Sequence, residues 1–194
     1  MKKILYSFLC FSFIFATNLY TLDPTSSSLE WIGQKLTGSH DGSLDFSRGE
    51  VTFNDKDLVY GEIIVSMITI RNKDITNEQY RGYLEEHLKS EDFFHVDSFP
   101  SAHLTIKENL GLLNGGRETL VLCNLTIKGI THEVKFPVKI DVFSSHATAS
   151  GSLDVDRSLY DIKYKSKSFF PDIGDKLIYD NFTLNFNIRA NRKW

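Results

Sequence analysis

Ten residues near the C-terminus, 181–190, alternate without a break: Asn181, Thr183, Asn185, Asn187 and Arg189 are polar, and Phe182, Leu184, Phe186, Ile188 and Ala190 are apolar. A period of two puts the two sets on opposite faces of an extended chain, so the segment reads as a half-buried antiparallel strand. Residues 131–141 repeat the pattern, with Val134, Phe136, Val138 and Ile140 inward and Glu133, Lys135, Pro137 and Lys139 outward. Pro137 has no N–H to give, which marks an edge or an irregular pairing at that point.

The same reading places strands at 29–36, 43–53, 58–70, 102–107, 117–127 and 147–155. In the second of these the apolar parity passes from Leu44 and Phe46 to Val51 and Phe53, and a β-bulge at Arg48 and Gly49 would repair it. One segment breaks the alternation. Thr76 followed by Gln79 is a capping-box signature, and Tyr80, Tyr83, Leu84 and Leu88 follow at helical spacing, predicting a short helix over 77–89. Strands joined mostly by short turns predict an all-β fold, an extended eight-stranded antiparallel up-and-down barrel with one helix, because closure removes exposed edges. A flattened sandwich is the competing architecture.

The N-terminus belongs to a different class. Lys2 and Lys3 precede an apolar run from Ile4 to Phe15 and the small Ala16, the pattern of a secretory signal peptide and too short for a membrane span. Residues 1–19 are therefore expected to be a signal peptide cleaved near 16–20, leaving one domain over 20–194 in the periplasm or outside the cell, with no transmembrane segment. Cys10 lies inside that signal without the small neighbour of a lipoprotein site, so no lipid anchor is expected. Cys123 is then the only cysteine of the mature chain; no internal disulfide can form, and the fold must stand on its core. The formal net charge is −3, with basic residues scattered among acidic ones, which gives no electrostatic footprint for nucleic acid.

Side-chain volume decides whether such a barrel is filled or hollow. The strand over 147–155 offers Ala147, Ala149 and Gly151 to the interior, while Phe46, Val134, Phe136, Val138, Phe182, Leu184 and Phe186 supply apolar walls. An elongated apolar cavity follows, unless neighbouring phenylalanines fill the space.

Several motifs, in order, carry a family resemblance: "SSLEWIGQKLTGSHDGSLDF", with Trp31, Gly33, Gly38, His40 and Gly42; "EEHLKSEDFFHVDSFPSAHLTI"; "CNLTIKGITHEVKFPV"; and "GSLDVDRSLYDIKYKSKSFFPDIGDKLIYDNFTLNFNI". The chain is identified by them as similar to the YceI-like family, secreted lipocalin-like, polyisoprenoid-binding proteins. The resemblance implies a barrel enclosing a long isoprenoid, a quinone or a fatty-acyl chain, usually without enzymatic activity and with no other cofactor; it also allows a homodimer. Two positions depart from the pattern: Asp161, where the family often has Gly, and His95, where an acidic residue is common.

Candidate polar groups are few. His40 could hydrogen-bond a ligand head at the tunnel mouth or tie its own turn. Arg157 could bind a head group or pair with Asp154, Asp156 or Asp161. Phe93 and Phe94, on the loop after the helix, could form the tunnel lip or anchor the helix. His87, His95 and His103 fall eight residues apart with Asp92 and Asp97 between them. A metal-dependent or acid/base enzyme built from these histidines on the barrel exterior is a second reading; parity sends His103 outward, and the site would need helix, loop and strand to converge there. A non-binding structural secreted domain is a third. No Gly-x-Ser-x-Gly motif accompanies Ser26, Ser27 or Ser28.

Overall fold

The computed structural model describes residues 17–113 and 115–194. Nine strands form one antiparallel sheet: β1 (Thr17–Leu22), β2 (Ser28–Lys35), β3 (Gly38–Asn54), β4 (Asp57–Asn72), β5 (Ser101–Leu113), β6 (Glu118–Ile127), β7 (Ile130–Val142), β8 (His146–Asp156) and β9 (Ile178–Arg192). Among the described residues a single α-helix, α1 (Glu78–Lys89), joins β4 to β5. The pairing order β1-β3-β2-β9-β8-β7-β6-β5-β4 closes on itself through β3 and β4.

Nine strands make eight barrel positions because β1 and β2 share one. Both pair with β3 on one side and β9 on the other, β1 near one barrel end and β2 towards the other. A 3-10 turn at Pro24–Ser26 separates them, held by Asp23, whose carboxylate accepts from Thr25 N–H at 3.0 Å and Ser26 Oγ at 2.9 Å. Sequence reading finds the other eight strands and misses β1, whose six residues follow directly on the apolar run and carry only Tyr20 and Leu22 as buried alternates. β1 begins at Thr17, three residues before the expected domain start.

The predicted bulge is present, with the β3–β4 register shifting between Phe46 and Arg48. Pro137 also falls where expected. The β7–β8 ladder begins at Val138↔Gly151 and runs to Val142↔Ala147, so the first half of β7 has a strand only on its β6 side. Tyr160, from a 3-10 turn at Arg157–Tyr160, packs there with its ring 5.3 Å from that of His132.

The helix matches its predicted span, but its cap is Asn77 and not Thr76: the Asn77 Oδ1 accepts from Tyr80 N–H at 3.1 Å. Of the four spaced apolar residues, Tyr80 and Tyr83 face solvent, and Leu88, with the partly buried Leu84, forms the contact of the helix with the core. Glu85 ties α1 back to the barrel by accepting from Asn72 N–H at 2.8 Å.

Both departures from the family pattern lie at left-handed backbone positions, Asp161 at φ 57° and His95 at φ 46°. Glycine adopts that region freely, and Asp better than most other residues, so the backbone at Asp161 suits the glycine expected there.

Candidate functional site

The barrel interior holds two apolar chambers end to end. The first, of about 120 Å³, lies beneath α1 and the loop after β8, between Trp31, Met67, Leu88, Phe93, Phe94 and Phe182. The second, of about 130 Å³, lies between Phe46, Phe53, Cys123, Phe136, Ala147, Ala149 and Phe186. Leu29, Val65, Leu104, Leu125 and Leu184 line both, so the two meet at a waist of branched aliphatic side chains. Among the described residues, Arg157 is the only permanently charged side chain in either lining. Such walls make almost no hydrogen-bond demand on an occupant and favour a hydrocarbon chain.

Small side chains on β8 and large ones on β9 produce this space, as the alternation predicts. The filled alternative holds locally: a Cβ added to Gly151 would meet Phe186 Cζ at 2.8 Å, so that ring occupies the room the glycine leaves. Beside it, Ala147 and Ala149 remain uncovered and face the second chamber. Of the wall and mouth residues expected from the sequence, all but His40, Val134 and Gly151 line one chamber or the other. Sequence reading missed Trp31, Met67, Ile70 and Leu88, which also line the first chamber. Parity marks the strand members as inward, yet only the barrel's closure shows which inward residues meet empty space.

Phe93 is not an exposed lip. It is buried, with ring centroids 5.0 Å from His87 and 5.4 Å from Tyr164, while Phe94 packs edge-on to Phe182 at 6.3 Å. Together they seal the helix end of the first chamber.

Arg157 sits behind them, 4 % exposed, its guanidinium carbon 5.9 Å above the Phe93 ring. It pairs with none of the three acids suggested by sequence proximity. Its Nη2 lies 3.3 Å from Asp180 Oδ1, and its N–H groups donate to the carbonyls of Ile162, Ile178 and Tyr179 at 3.0–3.2 Å. Arg157 thus pins both ends of the loop between β8 and β9 over the chamber. Burial would raise the Asp180 carboxyl, but the hydroxyls of Ser166 and Ser168 and the Arg157 charge outweigh it and hold the group below the usual aspartate range.

A folded pKa below the unfolded one means that the stabilisation is complete above the ordinary value of about 4 and is lost as the pH falls through the folded value. Arg157→Leu leaves three carbonyls without their donor and is expected to cost about 2 kcal/mol at neutral pH. The gap between wild type and variant should narrow below about pH 4. Urea melts of both proteins across that range check it, and a gap that widens in acid would contradict the assignment.

His40 lines neither chamber. Its Nδ1 is 2.8 Å from Asp74 Oδ2, which fastens β3 to the segment leading into α1, away from both chamber linings. The three evenly spaced histidines have separate neighbours: His87 lies 3.8 Å from Asp92, His95 is 3.5 Å from Glu91 and 3.1 Å from Ser98, and His103 is 2.9 Å from Ser101. His103, on the outward parity, nevertheless contributes to the lining of the first chamber. Among the described residues, no group of three His, Cys, Asp or Glu side chains is placed to hold a metal ion. Cys123 lines the second chamber fully buried, and burial pushes its thiol up to about 12, far from the thiolate a nucleophile needs.

Comparison with known proteins agrees with this geometry. The sequence model described as YceI-like domain matches residues 20–190. Among solved structures, the chain resembles BcnA of Burkholderia cenocepacia, with a TM-score of 0.68 and 19% identity over 87% of this chain and 99% of that one. It also resembles a polyisoprenoid binding domain from Saccharophagus degradans, with a TM-score of 0.63 and 14% identity over 90% of this chain and 98% of that one. No curated protein matches it.

Proposed function

The chain belongs to the YceI-like domain family, and from that membership together with its two chambers we propose that it is a periplasmic or secreted carrier of a long isoprenoid, quinone-tailed or fatty-acyl lipid. The observation that carries the reading is the apolar double chamber with a single charged side chain, itself committed to backbone carbonyls. A solved neighbour of the same fold is described as a polyisoprenoid binding domain, which supports the ligand class. At about 0.8 kcal/mol per buried CH₂, ten methylenes contribute about 8 kcal/mol before the costs of association, so tight binding needs no polar anchor. Binding, not catalysis, is therefore the proposed activity.

Secretion rests on the sequence. The run from Ile4 to Phe15 lies outside the described residues, and among those described no helix is long and apolar enough to cross a membrane.

Native mass spectrometry of the purified protein, followed by organic extraction, tests the proposal. A stoichiometric adduct that extracts as a prenyl or long acyl lipid is expected. No adduct, together with no uptake of any offered chain, would end it. The same spectrum reads whether the protein is the homodimer that we propose alongside.

A further inference from the structure

The loop that covers the first chamber contains "KYKSKSFF", from Lys163 to Phe170: three lysines, three aromatic residues and no acid, in a chain whose net charge is −3. Phe169 and Phe170 are 40% and 51% exposed, although nothing in lipid storage requires aromatic rings in water. Two of the ammonium groups lie over neighbouring rings, Lys163 Nζ 5.3 Å from the Phe169 centroid and Lys165 Nζ 5.0 Å from that of Tyr164. Lys128, from the β6–β7 turn, donates to the Asp161 carbonyl at 3.0 Å, and Lys163 Nζ is 2.5 Å from the Asp161 carboxylate, so that acid is paired within the loop, while Asp172 and Asp175 follow beyond the aromatic pair. These groups border an open cleft of about 510 Å³, on whose other side stand Glu91 and Asp92. Tyr164 connects the cleft to the interior: its ring is 5.4 Å from Phe93, a wall of the first chamber.

Exposed aromatics among lysines are what a protein presents to an anionic lipid surface, where the rings enter the headgroup boundary and the ammonium groups meet phosphates. We infer that this loop docks the barrel on an anionic phospholipid bilayer, with Phe169 and Phe170 inserted and Lys165 and Lys167 at the lipid phosphates. The inference rests on the carrier reading only for its purpose: docking sets the chamber beneath the loop one aromatic layer from the membrane. The β5–β6 hairpin also exposes Leu110, Leu112 and Leu113, but its flanking charges are Glu108, Arg117 and Glu118, which offer an anionic surface nothing.

Co-sedimentation with vesicles tests the docking. The wild-type protein is expected to sediment with vesicles of equal parts phosphatidylcholine and phosphatidylglycerol at about 0.1 M salt, less at about 0.5 M, and not with phosphatidylcholine alone. The double variant Lys165→Gln, Lys167→Gln should bind about twenty-five-fold more weakly, at about fivefold per lysine. Phe169→Ser with Phe170→Ser should lose about tenfold, and Leu112→Ser nothing. Wild-type thermal midpoints would confirm that all variants fold. Equal binding to neutral vesicles, no binding to either kind, loop variants that bind like wild type, or loss caused by Leu112→Ser would each overturn the inference. The lipid content of the same preparations separates the two proposals: a loaded protein that ignores vesicles rejects only the docking, and a docking protein without lipid rejects only the carrier.

Discussion

Ala149→Phe is expected to reduce the lipid recovered from the protein by more than tenfold while leaving the barrel folded. Ala149 stands on β8 between Ile140 of β7 and Ile188 of β9, and it faces the second chamber. A benzyl group there projects into space that the chamber already provides. Added bulk in a packed core costs about 1–3 kcal/mol, and an unfilled site should fall at or below the low end of that range. The lipid chain loses the volume that the ring takes, and with it the burial that holds it. Native mass spectrometry reads the loading and a urea melt reads the fold. Ser150→Phe, on the other face of the same strand, serves as the control and should keep its lipid. Wild-type loading of a folded Ala149→Phe protein would place the lipid somewhere other than this chamber.

The largest loss of stability is expected from Gly42→Ala, at about 4 kcal/mol or more. Gly42 pairs with Trp31 of β2 on one side and with Asn72 of β4 on the other. A Cβ at that position would lie 1.8 Å from the Arg71 carbonyl oxygen and 2.6 Å from Trp31 Cε2 and Cζ2. Neither neighbour can yield cheaply, because the Trp31 indole N–H donates to that same carbonyl at 3.1 Å. One methyl group would have to break the strand pairing or expel the indole, which also walls the first chamber. Gly82→Ala gives the opposite sign: a Cβ in α1 meets nothing within 4 Å, and alanine should stabilise the helix by about 0.5–1 kcal/mol. Chemical denaturation of the two variants makes the comparison, and a Gly42→Ala protein as stable as wild type would refute the close approach.

Much of the barrel is legible because its signal is local. Alternation in β7, β8 and β9 names the inward residues one by one, and the same Phe182, Leu184 and Phe186 that stand out in sequence line the chambers. Small residues on β8 foretell the space beside them. β1 is not legible, since six residues with two buried members carry too short a period to separate from the apolar run before them. Nor are the partners of the polar groups. Arg157 stands among Asp154, Asp156 and Asp161 in sequence but pairs with Asp180, because the loop from β8 to β9 folds back and brings residues 178–180 against it. His40 meets Asp74 by the same kind of return, across 34 residues.

The sequence by itself determined most of the strand faces, the helix, the antiparallel all-β class and the apolar character of the interior, for these depend on side chains within a few residues of one another, whereas closure into a barrel and not a sandwich rests on pairings between distant strands. Only the tertiary structure decided that the interior opens into two chambers at a shared waist, and that Phe186 fills the room beside Gly151 while Ala147 and Ala149 stay uncovered. It also decided that Phe93 is buried and Phe169 and Phe170 are not. Empty space and exposure are properties of surfaces brought together from distant parts of the chain, and no run of neighbouring residues contains them.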